Sequence, residues 1–377
     1  MTMLDGVHVV EMGTAITAPL AAMLLADMGA DVIKVERPGG DPYRQYPRMS
    51  PAFAAANRNK RSIICDVGDD AGRDDLWALL ADADVFIENM RPGVTDRLGF
   101  GWDVLHARFP RLIYCSVSGF GPVGPYRDRP AFDGVAQAIC GLTSRLIDAD
   151  ECEPSGVPVV FGDVCTGMYA AIAVLGALVQ QGRTGEGVRL ELNMLEATMA
   201  FIGYLFTSMV PGTDAPRSLG PAGSQSYIFR CADGLMLAIH LSSLEKFWRN
   251  LLTVAEAPEL GEDPRYLTRP QRVERYHELS RELGERFARL PRSAWIERLR
   301  TVDIPYAPVQ TLLDVVNDPQ VAALETLYDV ENDVGPGKRV GIQPPMLVNG
   351  KRPVPMRPAP ELGSYRLDAA PKEGVRP

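Results

Sequence analysis

Val7–Glu36 reads VHVVEMGTAITAPLAAMLLADMGADVIKVE. Its opening apolar run, VHVVEM, has the character of a buried strand. A Gly13-Thr14-Ala15 turn follows, Pro19 sits where a helix can begin, and the helix runs to Gly29. Asp31-VIKVE then reads as a second, parallel strand, so the stretch is one βαβ unit. Working outward, the alternation continues through SIICDV (Ser62–Val67), a helix near Gly72–Ala81, DVFIEN (Asp84–Asn89) and LIYCSVS (Leu112–Ser118). Strand and helix in strict turn build a Rossmann-like, doubly wound α/β domain around a parallel sheet.

The segment GFGPVGPYRDRP (Gly119–Pro130) is too rich in glycine and proline for regular structure, and it follows a strand, where open α/β sheets carry their ligand loops. Beyond it come a helix from about Asp133 to Ser144, an acidic loop, and Gly162-Asp163-Val164-Cys165-Thr166-Gly167 opening a long apolar helix to Gln181. RTGEG turns the chain into VRLELN, and a mostly helical stretch runs to Met209. Proline and glycine in PGTDAPRSLGPAGS (Pro211–Ser224) read as a linker. YIFRCADGLMLAIH (Tyr227–His240) reads as a hairpin around Asp233-Gly234, followed by three charged amphipathic helices to about Arg300. The organisation expected is a large α/β domain over 1–210, a linker at 211–225, a smaller α+β domain over 226–320, and a Pro-rich segment, 321–377, returning to the large domain.

The chain has 377 residues, 46% hydrophobic and 23% charged, which is the composition of an ordinary globular protein. A net charge of -9 argues against nucleic acid as a partner, because phosphate backbones need clustered Lys and Arg. Met1 to Asp5 has no basic stretch followed by an apolar one, and no later run reads as a membrane span, so a cytoplasmic protein without a membrane partner is expected. The six cysteines lack metal-ligand spacing, and the four histidines (His8, His106, His240, His277) lie far apart. Neither a metal site nor histidine-based catalysis is expected.

The first turn lacks G-x-G-x-x-G, so the close backbone approach that a dinucleotide needs is missing and a nicotinamide enzyme is demoted. Glu36 is followed by Arg37, a residue for a phosphate or adenine, or simply a solvated one. Asn57-Arg58-Asn59-Lys60-Arg61 suits an anionic nucleotide tail, or is an exposed loop. Glu88-Asn89-Met90-Arg91-Pro92-Gly93 places backbone amides and Arg91 along the same sheet edge. Asp163 stands at the start of an apolar helix, where the unsatisfied amides and positive dipole end keep a carboxylate ionised; the bland reading is that it caps the helix.

Taken together, five segments resemble the family III CoA-transferases, the group that includes formyl-CoA, carnitine and succinate-type transferases and the alpha-methylacyl-CoA racemases. They are Gly6–Asp41, Asn57–Asp66 (NRNKRSIICD), Asp82–Asp103, Pro110–Leu142 and Gly162–Ala197, with weaker likeness in Phe229–Ile239 and Asp303–Gln320. The resemblance implies a CoA-transferase that moves coenzyme A from an acyl-CoA to a small carboxylic acid. It makes Asp163 the nucleophile and Arg37 a CoA contact after the second strand. It assigns Asn89, Met90, Arg91 and Arg97 to the CoA nucleotide, Cys65 and Asp66 to its adenine part, and Ala15 and Ile16 to the pantetheine. Where some members carry a basic residue before the aromatic of the PAFD motif, this chain has Pro130 and Ala131, with Arg127 or Arg129 as substitutes.

Phe132 and Asp133 stand where the racemases place an acid/base histidine, and a phenyl ring exchanges no protons. The racemases' partner glutamate falls near His240–Ser243, where this chain has no carboxylate until Glu245. A transferase is therefore favoured over an epimerase or a non-catalytic CoA-binding protein. The resemblance also implies an interlocked homodimer. Because hydrolysis would waste the activated acyl group, a glycine-containing loop, Gly220–Gly223, is a candidate to shield it from water, or is plain linker.

Overall fold

The computed structural model describes residues 2–46, 50–147, 159–209, 220–242, 245–330 and 339–367. Cys152 with its acidic loop, residues 211–219 of the expected linker, and the tail after 367 lie outside the described residues. The chain divides into two compact units, Met1–Ile202 with Ala322–Pro377, and Gly203–Val321.

In the first unit six strands form one parallel sheet: β1 (His8–Met12), β2 (Asp31–Glu36), β3 (Arg61–Ile64), β4 (Val85–Glu88), β5 (Ile113–Ser118) and β6 (Arg189–Asn193). Their order across the sheet is β3-β2-β1-β4-β5-β6, so the direction of winding reverses between β1 and β4. The strands are short, the first five carry Val or Ile, the edge strand β6 reads RLELN, and helices cover both faces, as a parallel sheet requires. On one face Val9, Val32, Val85, Ile87, Ile113 and Val117 pack against helices Thr17–Asp27 and Phe161–Thr184. On the other, Val10, Val35, Phe86 and Tyr114 meet Leu76 and Leu80 of helix Asp70–Ala81.

The expected helix at 133–144 is broken: Gly141, in the left-handed region at φ 88°, separates Asp133–Ile139 from Leu142–Leu146. The expectation of no membrane-length run also needs correction. Helix Phe161–Thr184 is long and apolar enough to cross a membrane by length and composition, since Val164–Gly182 carries no charge. Its inner face lies in the core, with Ala170, Val174 and Ala177 against Ala18, Ala21, Ala22 and Leu25. Small residues let the two helices approach closely. A methyl group added at Gly167 would sit 2.9 Å from both the Thr17 carbonyl oxygen and Leu20 Cδ2. Gly167→Ala is therefore expected to destabilise the chain by about 1–3 kcal/mol through overpacking. Urea unfolding measures it, and an unchanged midpoint would refute the close contact.

The C-terminal segment lies along β3: Tyr365 N–H donates to the Ser62 carbonyl at 2.8 Å, and Gly363 N–H to Ser62 Oγ at 3.1 Å. In the second unit β7 (Ser226–Arg230), β8 (Met236–His240) and β9 (Tyr306–Pro308) form an antiparallel sheet. Five helical segments, not three, follow the hairpin among the described residues; Pro258, Pro264 and Pro291 fall in three of the breaks between them, and the fourth is at Arg275. Beyond β9, β10 (Leu327–Val330) and β11 (Arg339–Ile342) pair antiparallel in the first unit.

Candidate active site

Because winding reverses between β1 and β4, the loops leaving their C-terminal ends part and open a crevice. A cleft of about 230 Å³ lies there. Thr14 to Thr17 form one wall and Asn89 to Pro92 the other. Ser118, Gly119, Arg127 and Arg129–Phe132 close the rim, and Asp163 lies in the wall.

Asn89 staples the two loops: its Oδ1 accepts from Thr14 N–H at 2.9 Å, and its Nδ2 donates to the Thr14 carbonyl at 2.8 Å and Thr17 Oγ1 at 2.9 Å. Between these bonds Ala15 sits at φ 62°, a left-handed backbone unusual for an L residue. Such a conformation persists only where the surroundings over-determine it.

Asp163 is the third residue of helix Phe161–Thr184. It does not cap the helix; Val160 holds that position without a side-chain bond. The capping falls to Asp133, whose Oδ1 accepts from Asp163 N–H at 3.1 Å and whose Oδ2 accepts from Gln137 Nε2. Gly162 permits this approach, since a methyl there would stand 3.2 Å from Asp133 Oδ1. Among the described residues no donor bonds the Asp163 carboxylate. Burial, and then the charge of Asp133, push it up to about 7. The expectation of a permanently ionised group is thus overturned: at the helix's positive end, desolvation and a neighbouring carboxylate outweigh the dipole.

Ala15, Ile16, Asn89, Met90, Arg91, Phe132 and Asp163 come together around the cleft, with Asp133 directly behind Asp163. The others do not line it. Arg37 is exposed beyond β2, and Arg97 is exposed on helix Val94–Leu98. Cys65 is buried, its N–H bonded to the Glu36 carbonyl and its Sγ to the Gly72 carbonyl. Asp66 is exposed and accepts from Gly68 N–H in its own turn. The basic cluster at 57–61 is turned inward. Arg58 pairs with Asp27, Arg61 pairs with Asp31 while lying over the Tyr365 ring, and Lys60 is buried on Glu11. Each of these cations already has an acid partner within the chain. Gly220–Gly223 belongs to the second unit, where Pro221–Ser224 forms one helical turn.

Sequence reading missed several members. Thr14, Thr17, Ser118 and Met194 line the cleft. Tyr43 has its phenol pushed up by burial and by Asp163, Asp41 and Asp133, which places it in the field of the two site carboxylates. Asp41-Pro42 announces the short helix that carries Tyr43, but no local pattern reveals what it faces. A neighbouring cavity of about 100 Å³ shares Arg91, Ser118 and Arg127 and ends on Glu88, whose carboxyl burial pushes up. A larger hollow, about 410 Å³, lies in the second unit. Three of its four cations are already bonded, Arg269 to the Leu241, Ser242 and Gly223 carbonyls, Arg272 to Glu245 and Lys246 to Asp303, and Arg249 is the fourth. The smaller cleft at the sheet's reversal, with a bare carboxylate and three arginines at its rim, is the better candidate for chemistry.

The family model for CoA-transferase family III matches residues 4–366. The chain is 30% identical over 373 residues to succinyl-CoA:glutarate CoA-transferase of Homo sapiens, covering 96% of this chain and 84% of that protein. It is 31% identical over 351 residues to acetyl-CoA:oxalate CoA-transferase of Acetobacter aceti, covering 90% and 88%. Among solved structures, a CAIB/BAIF family protein from Brucella suis superposes with a TM-score of 0.82 at 31% identity, covering 96% of this chain and 97% of that one. With the family pattern running almost from end to end of a fold shared with its solved relatives, this chain belongs to CoA-transferase family III.

Proposed function

We propose that the chain moves coenzyme A from an acyl-CoA to a free carboxylic acid through two covalent states of Asp163. The observation that carries this reading is a half-buried carboxylate without a hydrogen-bond donor among the described residues, set in the wall of the cleft at the sheet's reversal. A free acid attacks a thioester slowly; a carboxylate held against it reacts as if intramolecular. Asp163 Oδ attacks the acyl carbonyl and CoA leaves as thiolate, giving a mixed anhydride. The thiolate attacks the aspartyl carbonyl, releasing the donor acid and leaving an aspartyl-CoA thioester. The acceptor carboxylate attacks that thioester, and the thiolate then takes the new acyl group, restoring Asp163. Deprotonation of Asp163, not a separate base, starts the cycle. By the resemblance, Arg37, Cys65, Asp66 and Arg97 are assigned to the CoA nucleotide as well.

Intact-mass analysis after incubation with a panel of acyl-CoAs and hydroxylamine tests the reading. A hydroxamate on the peptide containing Asp163, absent from Asp163→Ala, is expected. An adduct on another residue would overturn it.

The protein is further proposed to be cytoplasmic and homodimeric. Val164, Met168, Ile172 and Val179 form an exposed apolar stripe along one helix, a surface that a second copy of the chain would cover. Light scattering is expected to report a dimer; a stable monomer would contradict this.

A further inference from the structure

Behind the cleft wall lies a cluster of four ionic side chains, all fully buried: Glu11 on β1, Lys34 on β2, Lys60 before β3, and Asp41 ahead of the short helix Pro42–Gln45. Burying such charges is costly unless each is matched and hydrogen-bonded. Here they are matched two against two. Lys34 Nζ lies 3.1 Å from Glu11 Oε1 and 3.3 Å from Asp41 Oδ2. Lys60 Nζ lies 3.1 Å from Glu11 Oε2 and 2.8 Å from Asn57 Oδ1. Asp41 Oδ1 accepts from Tyr43 N–H at 2.9 Å, while three further bonds of Glu11, Lys34 and Lys60 go to the backbone of the loop after β1. Lys34 donates to the Gly13 carbonyl at 2.7 Å, Lys60 to the Pro19 carbonyl at 2.7 Å, and Glu11 Oε1 accepts from Gly13 N–H at 2.8 Å. Both ends of the segment 13–19 are thereby tied to one carboxylate from behind, while Asn89 holds its middle from the front.

We propose that Lys34 and Lys60, bridged by Glu11, are positioning residues of the active site: they fix the loop 13–19, whose edge Thr14–Thr17 lines the acyl-CoA cleft. This deepens the proposed function, since the importance of the loop for turnover rests on the cleft's binding a CoA thioester. Lysine is suited to the task because its three N–H donors can serve a carboxylate, an amide oxygen and a carbonyl at once. A buried salt bridge between ordinary core elements adds little net stability and hydrophobic replacement is often tolerated. A cluster that sends three bonds, from Glu11, Lys34 and Lys60, to the two ends of one loop has a different effect, restricting a conformation that Ala15 makes intrinsically unfavourable.

The cluster carries its own titration. Burial lowers Lys60 to about 8 against the opposing pull of Glu11; Lys34, which repels it, and Asp41 also face it, with Asn57 and the Pro19 carbonyl completing its surroundings. Burial alone raises Glu11, and the two ammoniums more than reverse this, leaving it below the ordinary carboxylate value. Above about pH 8, then, Lys60 is neutral and one tie on the loop weakens.

The test is hydrogen exchange of the ligand-free protein followed by mass spectrometry. It compares wild type at pH 7 and pH 9, corrected for intrinsic rates, with Lys60→Met at pH 7. Peptides spanning 13–20 are expected to exchange severalfold faster in wild type at pH 9 and in the variant, with β4 and β5 unchanged. Equal loop exchange in all three samples, or uniform loosening of the whole sheet, would overturn the proposal. The wild-type comparison needs no substitution, so a variant that fails to fold does not block it. In turnover, wild-type kcat/KM is expected to fall severalfold above pH 8 to a plateau near the value of Lys60→Met, and this limb is expected to be missing from the variant. An identical limb in the variant would also count against the proposal. A wild type without CoA exchange would refute the functional reading while the exchange data still judge the loop.

Discussion

Asp163→Asn is expected to lose CoA exchange about a thousandfold or more, and to be more stable than wild type at pH 8. The loss follows from removing the only nucleophile that the protein itself contributes to the mechanism. The gain follows from linkage. The folded state raises this carboxyl from its ordinary 3.8 to about 7, by burial first and by Asp133 second. Between those values the folded chain holds its proton more tightly than the unfolded chain, so stability falls as pH rises, and the full cost applies above 7. Asparagine never ionises and escapes that cost, roughly 1–3 kcal/mol once partial exposure is allowed for. Urea unfolding at pH 4 and pH 8 checks the sign: the two proteins should differ little at the lower value and diverge at the higher. A variant no more stable at pH 8 would remove the strained-carboxylate account. The same ionisation sets an ascending limb of kcat/KM near pH 7 in the free enzyme. Asp133→Asn, by deleting the neighbouring charge, should move that limb to lower pH.

The second large effect is expected at Asn89. Asn89→Ala deletes three hydrogen bonds and leaves the Thr14 amide and carbonyl without their partner across the crevice. A fall of roughly tenfold to a hundredfold in kcat/KM is expected, because a loop displaced by a fraction of an ångström misplaces the thioester. The accompanying stability loss, about 1–3 kcal/mol, is that of unpaired backbone groups. Asn89→Asp keeps the acceptor for Thr14 N–H but loses both donations, so it separates the two halves of the staple. Steady-state kinetics with calorimetric unfolding measures both quantities. Unaltered kinetics in Asn89→Ala would show that the loop holds its place without this residue.

Much of the large unit is legible in local pattern. VHVVEM and DVIKVE carry the period and β-branching of buried strands, and glycine or proline marks most turns between them. The crevice follows from strand order, which βαβ alternation implies. Less legible was what each charged residue meets. Asn57–Arg61 looks like a ligand-facing basic cluster because its acids, Asp27, Asp31 and Glu11, stand some thirty to fifty residues earlier in the chain. Asp163 looked like a helix cap or an ionised anion because its neighbour in space, Asp133, is separated from it by thirty residues. The helix break at Gly141 is hidden because apolar residues keep a helical spacing on both sides of the one glycine that adopts a left-handed backbone.

The bonds that Gly363 and Tyr365 make to Ser62 bear on solubility as well as on packing. β3 borders the sheet on one side only, so its outer row of amides and carbonyls is a template for another chain. The returning C-terminal segment occupies that row as a chaperone would, within the same molecule. A proteolytic nick ahead of it would leave the catalytic crevice intact while exposing the border, and the first symptom of losing the tail would be self-association rather than inactivity.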